Sequence, residues 1–153
     1  MTSYRTHLAE VCSRLNEHEV AYVLIGATAM QLWGTSRATR DIDLLIEPTL
    51  ENARRALEAL ADIGFGYAKH WPPEEILAKP VTVIGDSPRV DLFTVAWSLR
   101  YAEAAAASTP IDLEGVSIPT ASIDHLIAAK RTGRLQDAAD IEALEALKRL
   151  RGD

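Results

Sequence analysis

Two aspartates separated by one residue, Asp41 and Asp43, stand in the apolar run Asp41-Ile-Asp-Leu-Leu-Ile46. Side chains alternate along a strand, so both carboxylates point to one face, and Ile42 and Leu44 point to the other. Aspartate is depleted in strands, so two on one face ask for a reason. Like charges at this spacing repel and push one carboxyl pKa upward. A divalent cation removes that penalty, and carboxylate oxygen suits Mg²⁺ or Mn²⁺. A hydrated edge strand is the competing explanation for the pair taken alone. Two further features shift the balance. Gly26-Ala27 follows the strand-like run Val20-Ala-Tyr-Val-Leu-Ile25 and opens a short helix reaching Trp33. Backbone N–H groups at such a turn attract anions, Gly26 lets a ligand approach the chain, and Thr28 offers a hydroxyl. Asp91 lies in a third apolar run, Val90-Asp-Leu92, on the side opposite its apolar neighbours. If that run lies beside Asp41–Ile46, three carboxylates meet next to an anion-binding turn. That is an arrangement for a metal–triphosphate, with two ions clamping the oxygens of an in-line displacement.

The elements that must position these groups read from the same periodicities. Tyr4, Leu8, Val11 and Leu15 mark a helix over about 4–17. Thr49 is a candidate N-cap for a helix carrying Leu50, Ala53, Leu57 and Leu60 on one face and stopping at Gly64. Pro72-Pro73 predicts a turn. Val81–Ile84 and Arg89–Thr94 predict a hairpin, as does Ile111–Ile118 around Gly115. An alanine-rich helix is expected near 98–107, then helices near 121–131 and 135–150 with a break at Thr132-Gly133. This order predicts an α+β chain, a mixed β-sheet flanked by helices with C-terminal helices added. We expect a single domain over 1–153, with a core at about 18–95 and a C-terminal helical part at about 120–151.

Composition narrows the classes. Of 153 residues, 48% are hydrophobic and 25% charged, which are ordinary globular values. The single cysteine, Cys12, excludes an internal disulfide and a multi-cysteine zinc site, and reads as a small core residue. His7, His18, His70 and His125 lack paired spacing, which argues against a histidine metal site. Without an apolar run of membrane length or a leader-like N-terminus, the expectation is a cytoplasmic protein with no membrane partner. A net charge of −6 disfavours holding nucleic acid by phosphate neutralisation alone. The tryptophans Trp33, Trp71 and Trp97 read as core or rim residues, with a base contact as the alternative for Trp33.

The series Ile25-Gly-Ala-Thr-Ala-Met30, Arg37-Ala-Thr-Arg-Asp-Ile-Asp-Leu44 and Asp91 resembles the nucleotidyltransferase superfamily with the DNA-polymerase-β-like fold. The tail Lys130…Arg134-Leu-Gln-Asp137-Ala-Ala-Asp140 is similar to its AbiEii-type branch, which includes toxins of toxin–antitoxin systems. The resemblance implies a catalytic and metal-binding set of Asp41, Asp43 and Asp91 holding two Mg²⁺ or Mn²⁺ ions. It also implies NTP as substrate, bound by Gly26, Ala27, Thr28, Arg40 and Lys130, with Arg37, Arg134, Asp137 and Asp140 in support. Asp91 would take the proton of an acceptor hydroxyl on RNA or protein. A cognate antitoxin or a homodimer is the implied partner. Ala27 departs from the family pattern, which has Gly or Ser there, and removes a hydroxyl that holds triphosphate. Two alternatives stand beside this reading: a catalytically weak or inactive interaction or antitoxin module, and a small-molecule (antibiotic) nucleotidyltransferase. For the tail, the residues alone leave open whether Asp137 and Asp140 orient Lys130 or serve as first-turn charges beside a solvated lysine.

Overall fold

A computed structural model describes residues 4–35, 39–64, 68, 70–85, 88–130 and 135–152. The chain runs α1 (Tyr4–Glu17), β1 (Tyr22–Ile25), α2 (Gly26–Trp33), β2 (Asp41–Ile46), α3 (Leu50–Ala61), α4 (Pro73–Leu77), β3 (Val81–Ile84) and β4 (Arg89–Phe93). It continues with α5 (Tyr101–Ala107), β5 (Thr109–Leu113), β6 (Val116–Thr120), α6 (Ile123–Ala129) and α7 (Leu135–Leu150). The six strands form one sheet in the order β3-β4-β2-β1-β6-β5. β1 runs antiparallel to β2, and β2 parallel to β4. β1 and β6 are parallel, and each outer pair is an antiparallel hairpin.

Register assigns the two faces of this α+β sheet. Tyr22, Leu24, Ile42, Leu44, Ile46, Thr82, Ile84, Val90 and Leu92 share one face, and all are buried. α1 covers this face, with the Tyr22 hydroxyl donating to Asn16 Oδ1 at 2.9 Å. The opposite face of β2 and β4 carries Asp41, Asp43, Arg89, Asp91 and Phe93. One buried cluster runs from Leu8 to Leu144 and takes in residues of the sheet and of α1, α3, α6 and α7.

Local chemistry explains the element boundaries. Thr49 caps α3, its hydroxyl accepting from Asn52 N at 3.2 Å, and Ser122 caps α6 in the same way. Buried Asn52 then accepts from Ala21 N at 2.7 Å and donates to Ala21 O and Glu47 O, pinning α3 to the start of β1 and the end of β2. Two boundaries differ from expectation. Pro72-Pro73 starts the short helix α4 instead of closing a turn, because a proline at the first helical position gives up an N–H that has no partner there anyway. α5 begins at Tyr101, because Ala96 and Leu99 bond to each other across a tight turn that helix geometry cannot include. The break expected at Thr132-Gly133 lies outside the described residues. No described helix is long and apolar enough to cross a membrane.

Candidate active site

β1 ends at Ile25, and the chain turns at once into α2 through Gly26, whose φ is +73°. Glycine is needed here twice over. The left-handed conformation penalises any Cβ, and a Cβ would also collide with the Asp43 carboxylate packed against it. Ile25, the residue before the helix, has no side chain able to cap its first turn. The start of α2 and Asp43 are therefore in contact, as the turn and the acidic strand were expected to be.

Within the sheet, Asp43 sits directly opposite Asp91 in the parallel β2–β4 pair, and Asp41 sits opposite Arg89. The three aspartates occupy one face, as the alternation predicted. Their oxygens are not gathered into one cage. Arg89 forks onto Asp91, with Nε 2.9 Å from Oδ1 and Nη2 3.2 Å from Oδ2, and its Nε lies 4.0 Å from Asp41 Oδ2. Among the described residues, no three His, Cys, Asp or Glu groups already form a metal cluster. Sequence reasoning missed Arg89. Its signal was the spacing Arg89-Val-Asp91, which puts both side chains on one strand face.

Asp43 carries the strongest electrostatic anomaly. Burial, then the neighbouring charges of Asp91 and Asp41, push its carboxyl up to about 7, against smaller opposing effects of Lys130 and Arg89. Its Oδ1 is buried without a hydrogen-bond partner. An orphaned carboxylate oxygen beside two more carboxylates is a hard-oxygen donor set, so these residues fit a divalent metal in kind.

The tail converges on the same place. Lys130 is 9% exposed, and its Nζ lies 3.3 Å from Asp140 Oδ2 and 3.7 Å from Asp137 Oδ1. Both aspartates are buried on the face of α7 that also carries Leu144. The two explanations left open for the tail are separated by this geometry, because a solvated lysine is not what the chain has. Lys130 lines a cleft with Gly26 and Asp43, so the ammonium held by α7 borders the acidic strand.

Other expected site residues are placed differently. Thr28 has no exposed surface, and its hydroxyl donates to the Asp41 carbonyl at 2.7 Å, locking α2 to β2 instead of facing a ligand. Ala27 is buried. Arg40 is exposed beside Asp41 at the entrance to β2. Arg37 and Arg134 lie outside the described residues. Trp33 is committed elsewhere, with its indole N–H donating to Ala121 O at 2.8 Å and Arg151 lying 4.7 Å from its ring centre.

Solved structures share this architecture and define its class as the nucleotidyltransferase fold. An antigenic nucleotidyltransferase-like protein from Paracoccidioides brasiliensis aligns at TM-score 0.63 and 17% identity, over 96% of this chain and 76% of that one. A Thermotoga maritima protein classed as a candidate nucleotidyltransferase aligns at 0.55 and 16%, over 95% and 91%. The antibiotic-resistance factor ANT(2'')-Ia aligns at 0.54 and 18%, over 97% and 92%. By sequence, no curated protein matches at a significant level. Residues 11–137 match the family described as the nucleotidyl transferase AbiEii toxin of a type IV TA system, and the chain belongs to that family.

Proposed function

We propose that the protein transfers a nucleoside monophosphate from an NTP to a hydroxyl on RNA or protein, as the toxin of a toxin–antitoxin pair. The observation that carries this reading is Asp43, a buried carboxylate with an orphaned oxygen, seated against Gly26 and directly across from Asp91. Asp41, Asp43 and Asp91 would hold Mg²⁺ or Mn²⁺, and a bound divalent ion supplies charge neutralisation for the triphosphate. The chain's own residues do the rest. The uncapped start of α2 faces phosphate with backbone N–H groups. Lys130, oriented by Asp137 and Asp140, adds a fixed positive charge. Asp91 accepts the proton of the acceptor hydroxyl once Arg89 has released its oxygens. The acceptor oxygen then bonds to the α-phosphorus, and the bond to the departing pyrophosphate breaks. Positioning and charge neutralisation supply most of the acceleration in this chemistry.

A second reading has its own observations. Arg89 already neutralises Asp91, Ala27 supplies no hydroxyl, and the Thr28 hydroxyl is spent on the backbone, a set that would suit a non-catalytic interaction module. Thermal unfolding with each of the four NTPs, with and without Mg²⁺, separates the two. At a concentration 100 times its dissociation constant, a ligand adds about 2.7 kcal/mol, raising Tm by about 5–11 °C for a chain of this size. The enzyme reading expects a Mg²⁺-dependent shift that Asp43→Asn abolishes, followed by label transfer from α-³²P-NTP to RNA or protein. No shift with any nucleotide favours the interaction module. A small-molecule acceptor is the outcome if label passes to neither macromolecule but to an aminoglycoside.

A further inference from the structure

Beyond the carboxylates, the cleft is walled by side chains that the phosphate chemistry does not use. Next to Gly26, Asp43 and Lys130 it is lined by Phe93, Trp97 and His125. Trp97 is anomalous in two ways. It lies in the two-residue turn closed by Ala96 N donating to Leu99 O at 2.9 Å and Leu99 N donating to Ala96 O at 2.8 Å. Its φ is +56° and that of Ser98 is not positive, the pattern of a II′ turn, whose first central position favours glycine. A tryptophan there is strained, yet it is 54% exposed. Burial therefore does not explain why a bulky side chain occupies the position. His125 supplies a third observation, for its Nδ1 is buried in the cleft wall without a hydrogen-bond partner. Buried imidazole nitrogens are ordinarily paired, so an unpaired one beside the cleft is unusual.

We propose that Trp97 and His125 form a nucleobase subsite, with the indole stacking on the base of the NTP and the imidazole hydrogen-bonding to its edge. This rests on the NTP reading given above. An exposed aromatic plane lining the same cleft as Asp43 and the buried Lys130 fits a ligand that is flat at one end and polyanionic at the other. Stacking accepts any base, while a hydrogen bond to the imidazole ranks them.

The test compares equilibrium dissociation constants of ATP, GTP, CTP, UTP and inorganic tripolyphosphate, all with Mg²⁺, for wild type, Trp97→Gly and His125→Ala. Glycine suits the turn, so Trp97→Gly should unfold at or above the wild-type temperature, which removes misfolding as an explanation. The proposal expects Trp97→Gly to weaken every NTP about tenfold or more and to leave tripolyphosphate unchanged. It expects His125→Ala to flatten the ranking of the four bases. NTP affinities unchanged in Trp97→Gly would overturn the subsite while leaving the nucleotidyltransferase reading intact. An equal loss for NTP and tripolyphosphate would also overturn it, since the tryptophan would then act on the phosphate end. Binding of neither NTP nor tripolyphosphate to wild type would overturn the NTP reading and the subsite with it.

Discussion

Asp43 and Gly26 are mutually dependent, and the pair makes two predictions. Gly26→Ala forces an alanine into a left-handed conformation, at about 1–2 kcal/mol, and drives its Cβ into the Asp43 carboxylate. Urea unfolding should show a loss of at least that size, together with loss of nucleotide binding. The second prediction concerns the metal-free protein and follows from the raised carboxyl pKa. In the unfolded chain Asp43 releases its proton near 4, and in the folded chain it keeps it up to about 7. Folding therefore takes up a proton between those values. The contribution of this group to stability is fully present below about pH 4 and is lost as pH rises through 7. Asp43→Asn should remove that slope and unfold later than wild type at pH 8 in EDTA, as read by thermal scans across pH. Asp41, Asp43 and Asp91 were legible because strand alternation and residue type sufficed to place them. Arg89 was visible as a spacing, but its place opposite Asp41 depends on the β2–β4 register, which no single strand encodes. Trp97 was harder still, because its strain belongs to a turn whose ends close only in the folded chain.

At the scale of elements, α6 and α7 are joined by charge as well as by apolar packing. Lys130 at the end of α6 meets Asp137 and Asp140 at the start of α7, and all three are buried. Removing the cation leaves two buried carboxylates without it, and breaking a buried pair costs about 3–5 kcal/mol. Lys130→Met should show a loss of that order in denaturant unfolding. Adding Asp137→Asn and Asp140→Asn should recover much of the stability while nucleotide binding stays impaired, separating the structural role of Lys130 from the ligand role proposed for it. The residues left open whether Asp137 and Asp140 face Lys130, and it is the packing of α7 that buries them against its ammonium. The two hairpins and the Thr49 cap were likewise legible from local chemistry. The start of α5 was not, because the bridge between Ala96 and Leu99 overrides the helix preference of the residues around it. The sequence Pro72-Pro73 carried two meanings, a turn or a helix start, and only the packing of Ile76 into the core decides for the helix.

Across the whole molecule, the sheet does not end with the residues that carry the acids. β6 pairs with β1 at the centre, Leu24 opposite Thr120, and Leu126, Ile127 and Leu144 join the same buried cluster as β2 and β4. We expect no independently stable fragment short of the C-terminal helices. A chain ending at Thr120 should be largely unfolded or bind a hydrophobic dye, whereas the full chain should unfold in one cooperative transition followed by circular dichroism and fluorescence alike. The sequence order of elements predicted a mixed sheet, but not that its central strands β1 and β2 would each take a parallel neighbour from much later in the chain, since pairing between distant strands leaves no local trace. That topology has a consequence for synthesis. The strand bearing Asp41 and Asp43 leaves the ribosome well before the one bearing Asp91, and Lys130 and Asp140 follow later still. Long-range strand pairing is the slow part of folding. A nascent chain therefore carries an incomplete acidic face until α7 has left the ribosome.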